Sequence, residues 1–506
     1  MIGQTRSERR QVIPRWRTAA ATVHAGEAQP LYEHVDRPWL EDSTELHRAT
    51  AAWAQRPTLS RAVELMAAAL LYRKPELGID AARSTLENSQ VGELPRSLAH
   101  RLLADLDPTD PLTFDLPGLE DERQRAQQVI GRLRAGLRRN PRNALAWLDL
   151  AHAQATLGHI NKADRSMSAA LSLGPANRVL LRSASRLYVH REEADRAHAL
   201  VVRADLTPLD PWLVAAELAT ASVAGRSPKL TRQAKKLLSS DDLHPFHLTE
   251  LSSALATLEL EAGNHRRARQ LFRGSLTSPT DNSLAQAEWA AHRVPDLEVP
   301  HDSMNTELAY EARARHASSV GNWDSALLES WNWLKDQPFS SEPAIFGSYV
   351  ASVGMANFEE AERIARAGLL ANPGDSMLRN NLVFALANQY RLDEAEDHYR
   401  RIDQNQEDRV RLTLLATAGL LRYRRGDIDE GRTLYHSAIA LAKKTEDRRA
   451  IALASIFLAR EEVLSRSPTA TATLRDVASA RTTHLEFPEI VRWVSALREL
   501  VGDSDT

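Results

Sequence analysis

The chain has 506 residues, 64 Lys+Arg against 67 Asp+Glu for a net charge of −3, 43% hydrophobic and 26% charged residues. This near balance excludes a chain whose main task is to coat nucleic acid or an acidic membrane surface. The lack of cysteine excludes disulfides, thiolate nucleophiles and Cys-ligated zinc or iron–sulfur centres.

The first seventeen residues carry Arg6, Arg9, Arg10, Arg15 and Arg17, and the stretch after them, TAAATVHAGEAQ, is too polar for the apolar region of a signal peptide. No run of about 18 apolar residues occurs, so no membrane span is expected and the reading is cytoplasmic. The Arg and Ala bias, with only eight Lys, predicts a high-GC bacterial source. Residues 1–42 read as a basic, aromatic arm. In it VIPRWRTAAATVHAGE (12–27) joins Arg15, Trp16 and Arg17 after a proline, and PLYEHVDRPWL (30–40) adds Tyr32 and Trp39. An Arg–aromatic cluster suits a protein partner or stacking on a nucleic-acid base. The alternative is a strap docked on the chain's own helices.

Residues 43–118 predict four amphipathic helices, STELHRATAAWAQ, TLSRAVELMAAALLYR, ELGIDAARSTLENS and LPRSLAHRLLADL, followed by a proline-containing connection over 105–118. From 119 a longer period appears. In NALAWLDLAHAQATLGHINKADRSMSAALSLGP (143–175), Trp147, Leu150 and Ala151 recur at helical spacing. Gly158 breaks the pattern, Ala163, Met167 and Ala170 restart it, and Pro175 closes it. That describes two antiparallel helices with small residues at their crossing.

The 143–175 unit resembles the tetratricopeptide repeat, and the register continues through Ala184, Tyr188 and Ala197; through Leu255, Gly263, Ala268 and Phe272; and through Tyr310, Gly321 and Ala326. It goes on with Tyr349, Ala361 and Pro373, then Leu386, Ala395 and Tyr399, and last Gly419, Gly426 and Tyr435, with Gly431 where Ala is usual. The unit near Trp212 is poorer, its turn AGRSPKL enlarged. The resemblance implies an all-α fold: a right-handed α-solenoid of stacked helix–turn–helix units with a concave groove. A first array is read over 119–291, a linker or hinge over 292–305, a second array over 306–446, and capping helices over 447–506, ending in FPEIVRWVSALREL.

The family's groove positions are the second, fifth, ninth, twelfth and thirteenth of each repeat. Carried onto this chain, they imply partner contacts at His152, Arg182, Arg186, His190, Glu311, Arg315, Phe346, Asn380, Phe384, Asn388, Tyr423 and Arg424, beside Arg15, Trp16 and Arg17 of the arm. Arg182 and Arg186, four apart, would clamp a carboxylate or phosphate, since guanidinium offers planar paired donors; an intramolecularly paired Arg face is the alternative. Reversing both charges is expected to weaken binding and leave the chain folded. Asn380, Phe384 and Asn388 form an amide–aromatic stripe suited to an extended peptide, or to packing between repeats.

No phosphate-binding, dinucleotide, zinc-protease or nucleophile-elbow motif occurs. His244 and His247 form an HxxH interrupted by Pro245, read as a helix start with solvated imidazoles, and Glu359/Glu360 and Glu461/Glu462 read as solvated polar faces. No catalytic residue, metal or cofactor is expected. The function expected is a non-catalytic scaffold binding a protein or peptide, with nucleic acid engaged only indirectly or through the arm. A regulatory subunit of a bacterial nuclease, defence or stress effector, or a peptide-sensing regulator, are the alternatives.

Overall fold

The computed structural model describes residues 10–31, 44–71, 74–88, 91, 93–104, 119–240, 242–480 and 487–502. The described residues are helices and connections, with no strand among them. The chain divides into two units: residues 1–31 together with 119–506, and residues 32–118.

The arm contributes one short helix, α1 (Ala19–His24). The smaller unit holds the four expected helices, α2 (Thr44–Gln55), α3 (Leu59–Leu71), α4 (Ile79–Glu87) and α5 (Glu93–Ala104). Their apolar faces meet in one cluster around Leu46, Leu65, Met66, Ala82 and Leu102. The 105–118 connection, Tyr32 and Trp39 lie outside the described residues.

The larger unit is an all-α solenoid. α6 (Leu119–Arg139) leads into the hairpins α7 (Ala144–Thr156)/α8 (Ile160–Leu173), α9 (Arg178–His190)/α10 (Ala194–Arg203), α11 (Pro211–Val223)/α12 (Thr231–Leu238) and α13 (Pro245–Glu261)/α14 (His265–Ser275), then α15 (Asp281–Ala291). After a break come α16 (Tyr310–Ser319)/α17 (Trp323–Asp336), α18 (Glu342–Tyr349)/α19 (Phe358–Ala371), α20 (Ser376–Asn388)/α21 (Leu392–Arg400), α22 (Asp408–Arg425)/α23 (Ile428–Lys444), α24 (Arg448–Leu464)/α25 (Ala470–Ala480), and α26 (Pro488–Gly502).

Local chemistry explains where the helices start and turn. Asn143, Asn177, Asp210, Asp375 and Asp447 each accept backbone N–H bonds at a helix start. The turn inside a hairpin needs a left-handed residue. Gly158, Gly225, Gly263, Gly321 and Gly426 provide it with φ of +67 to +93°, and Glu192, Ala356 and Tyr390 adopt the same φ region without being glycine. In the hairpins from α7/α8 to α22/α23 the second helix presents a small residue to the first. Ala163, Ala197, Ala234, Ala268, Ala326, Ala361 and Ala395 are all fully buried. Gly431 stands in that place in α23 because a Cβ there would lie 2.6 Å from the Tyr423 ring and 3.0 Å from the Gly419 carbonyl.

Filling these crossings is therefore costly. Ala163→Trp or Ala326→Trp is expected to destabilise by about 1–3 kcal/mol or more, since an indole there forces the helices apart. A thermal melt reads the effect, and parental melting of either variant would mean that the repeat register is misassigned.

A helix that follows the break packs back on the start of the repeats. α19 touches α6 and α7, and Leu370 packs with Ile130, Leu150 and Leu157. The turn after α7 fits so tightly that a Cβ on Gly158 would meet the Leu370 carbonyl at 3.0 Å. Within the break at 292–305, Val294, Leu297 and Met304 are buried, and Arg313 donates to the Met304 carbonyl.

Candidate partner-binding groove

Residues 10–31 lie along an inner wall made by the first helices α7, α9, α11 and α13, by α15 and α16, and by Asp336 and Phe339 at the end of α17 and just after it. The segment before α1 has no regular structure, so side chains hold it. Asn282 and Gln286, four apart on α15, donate to the backbone carbonyls of Ile13 (3.1 Å) and Arg10 (3.0 Å). Gln11 donates to Ser222 of α11 and Glu261 of α13, both at 2.8 Å. Asp149 of α7 accepts the Ala19 N–H at 2.7 Å, at the start of α1.

Ion pairs run through the contact as a chain. Glu250 of α13 pairs with Arg182 (2.8 Å), Arg182 with Glu27 (3.0 Å), and Glu27 with Arg17 (2.8 Å). Arg17 also reaches Asp281 (2.7 Å) and Asp336 (2.8 Å). Arg15 bridges Asp281 (3.1 Å) to Glu311 (2.6 Å), and Glu311 further takes Arg10 and Arg315. Burial by itself would raise the carboxyls of Asp281 and Glu311. Their arginines overcome it, holding Asp281 below and Glu311 well below the usual range. At Glu27 burial prevails over Arg182 and Arg17, and its carboxyl is raised. The ion pairs keep these charges compatible with a dry interior, where an unpaired charge is strongly disfavoured.

Trp16 is the apolar centre of the arm. It is fully buried, with its ring 5.2 Å from His152 and 4.8 Å from Phe339. His190 and Arg186 approach the same Phe339 ring at 5.5 and 5.6 Å. Arg186 donates to Ser340 (3.2 Å), but among the described residues no carboxylate forms an ion pair with it.

The second array is filled from the other end of the chain. Trp493 of α26 donates to the Val353 carbonyl (2.7 Å) and packs on Phe457 (4.9 Å). Phe457 meets Phe384 at 5.4 Å. Glu489 accepts from Arg449 (2.5 Å) and Tyr349 (3.2 Å).

The residues named from sequence thus fall into two groups. His152, Arg182, Arg186, His190, Glu311 and Arg315 share one wall with Arg15, Trp16 and Arg17, and Arg315 lies over Phe346 and Trp333 at 5.2 and 5.3 Å. Asn380, Phe384, Asn388, Tyr423 and Arg424 belong to the second array. Asn380 is buried, Asn388 accepts from Arg460 (2.9 Å), Tyr423 donates to Glu462 (2.6 Å), and Arg424 pairs with Glu461 (2.9 Å). Glu461 and Glu462 are therefore buried rather than solvated. Burial would raise Glu462, yet hydrogen bonds from Arg432, Ser467, Tyr423 and Thr469 hold it at about 2. His247 is likewise buried, not solvated, and accepts the Trp212 indole N–H at 3.1 Å. His244 caps α13.

Sequence reasoning missed Glu27, Asp149, Glu250, Glu261, Asp281, Asn282, Gln286 and Asp336. A signal existed for two: Glu250 and Glu261 occupy the second and thirteenth positions of their repeat. For Glu27 and Asp336, outside the first helices, no local signal points to the groove.

The wall has a pH signature. Burial pushes His152 down to about 4, and His190 also to about 4 with Arg186 and Arg191 adding to the effect. An unfolded histidine titrates near ~6.5. The unfolded chain therefore takes up these protons first. The stability contributed by the neutral imidazoles is complete above about pH 6.5 and is lost as pH falls towards about 4. The urea midpoint is expected to fall across that window. His152→Phe should flatten part of the slope, and an unchanged slope would show that His152 carries none of it.

No protein-family model matches the chain, and no curated protein matches it in sequence. Among solved structures, it is similar to the crystal structure of the APC/C hetero-tetramer Cut9–Hcn1, with 14% identity over 91% of this chain and 95% of that one and a TM-score of 0.41. It is also similar to yeast Tom70, with 14% identity over 88% of this chain and 96% of that one and a TM-score of 0.31. Among the described residues no helix is long and apolar enough to cross a membrane, and no group of three His, Asp or Glu side chains is placed to hold a metal ion.

Proposed function

We propose that the chain is a non-catalytic helical-repeat scaffold that binds an extended protein or peptide segment on the inner wall of its first array. One observation carries the reading: that wall already holds an irregular stretch of polypeptide by both of the means a peptide receptor uses. Asn282 and Gln286 grip backbone carbonyls whatever the sequence, while the Trp16 slot and the acidic side chains beyond it select side chains. A preformed wall of this kind limits the ordering cost of binding.

Hydrogen exchange on the chain with a co-purified protein partner tests it. Added protection of α9, α13 and α15 supports the reading. Protection confined to the outer helices α12 and α14, or turnover of a substrate by the chain alone, would overturn it.

A further inference from the structure

Resting on that reading, we propose that the inner wall takes, in trans, a basic segment of another polypeptide that repeats the arm's chemistry, a tryptophan flanked by arginines, and that also brings a carboxylate to Arg186. Residues 10–31 are then the resident occupant, which yields to that segment.

Three observations point this way. First, the subsites are specific. Trp16 sits between His152 and Phe339, Arg17 faces Asp281 and Asp336, and Arg15 faces Asp281 and Glu311. A neutral or acidic segment would leave these carboxylates buried and unpaired.

Second, the resident satisfies the wall incompletely. Gln11 Oε1 and Trp16 Nε1 of the arm, and His152 Nε2, Arg182 Nε, Arg186 Nε and Ser253 Oγ of the wall, are buried without a hydrogen-bond partner. Buried polar atoms are normally paired, so the four orphans of the wall, which stay when the arm leaves, mark demands that another ligand would meet. Arg186 states the demand most clearly. Its guanidinium is engaged by a hydroxyl and an aromatic ring with no carboxylate in ion-pair contact, and burial, with Arg15 and Arg10 adding to it, lowers its proton affinity against the pull of Glu342 and Glu311.

Third, the arm is held by side chains and not by regular structure. The segment before α1 adds no strand to a sheet and no helix to a hairpin. It is separated in sequence from the rest of its unit by residues 32–118, so it can leave without breaking a hairpin.

The test uses the full chain and a fluorescein-labelled synthetic peptide of residues 10–24. The chain bearing Trp16→Ala, its own occupant weakened, is expected to bind the peptide at least 100-fold more tightly than the unaltered chain. A peptide with Arg15→Glu and Arg17→Glu should not bind. Scanning Glu through peptide positions 10–19 should find one that tightens binding at least tenfold, a gain lost in the Arg186→Gln chain. A folded Trp16→Ala chain that ignores the peptide, or a scan without such a position, overturns the proposal. If Trp16→Ala does not fold, hydrogen exchange on the unaltered chain decides. Arm amides exchanging at least 100-fold faster than those of α9 and α13 support it, and arm amides opening only with global unfolding overturn it.

A lock separates this proposal from the scaffold reading. The chain has no cysteine, so Gln11→Cys with Ser222→Cys, bridged by a short bis-maleimide, ties the arm down selectively. A partner that still protects the inner wall of the locked chain would sink the exchange and leave the scaffold standing. A partner that never protects that wall sinks both.

Discussion

Replacing Arg182 by alanine is expected to lower the unfolding free energy by about 3–5 kcal/mol, the cost of removing one partner from a buried ion pair. Arg182 is 2% exposed, and its guanidinium meets Glu250 at 2.8 and 3.2 Å, Glu27 at 3.0 Å and the Trp212 ring at 4.7 Å. Without it, Glu27 keeps Arg17 while Glu250 loses the arginine it pairs with. The loss reflects stranded charge more than lost attraction, and that distinction is measurable. Adding Glu250→Gln to an Arg182→Met chain removes one stranded charge and refills part of the volume, so the double variant should recover part of the stability. Denaturant melts of the four chains in the cycle give the coupling directly. A loss under about 1 kcal/mol for Arg182→Ala would mean that water reaches Glu250 and Glu27 and that the arm does not seal the wall.

The same geometry revises an expectation drawn from sequence. Arg182 and Arg186 lie one helical turn apart, and the pattern alone reads them as one basic patch whose reversal leaves the fold intact. Arg182→Glu would place a third carboxylate against Glu27 and Glu250, and unfolding is the expected outcome. Arg186 has no carboxylate partner among the described residues, so its replacement tests binding with far less structural damage.

Periodicity made the hairpins legible. Ala163, Ala268 and Ala395 mark crossings because only small side chains fit there, and Gly158, Gly263 and Gly426 mark turns because glycine adopts positive φ without strain. The unit near Trp212 was faint because a seven-residue turn, 224–230, displaces its second helix in the register. The turns at Glu192, Ala356 and Tyr390 were faint because non-glycine residues hold the left-handed conformation there. The occupancy of the groove was hidden for a different reason. Arg17 meets Asp336 across 319 residues, and Gln11 meets Glu261 across 250. Such pairs leave no period, and an Arg–Trp–Arg cluster reads alike whether its acidic partners lie in another molecule or in the chain's own inner wall.

Trp16→Ala is expected to cost about 3–5 kcal/mol, the usual penalty for deleting a fully buried tryptophan side chain. How the loss appears matters more than its size. If the arm and the first array unfolded as one unit, the whole loss would appear in the global transition. The arm, however, adds only Trp16 and Val12 to two clusters otherwise made by the helices and their connections: Leu148, Ala151, Ala163 and Met167 still pack together within α7/α8 without Trp16, and Leu251, Ala254, Ala268 and Phe272 within α13/α14 without Val12. The loss should therefore fall mainly on arm opening, speeding arm exchange by about 10²–10⁴-fold while the hairpin amides change little. Trp16→Phe should keep most of the stability, because the indole N–H has no partner to lose and a phenyl ring still packs on Phe339 and His152. Equal loss of protection in the arm and the hairpins of Trp16→Ala would mean that the arm is a core element of the first array.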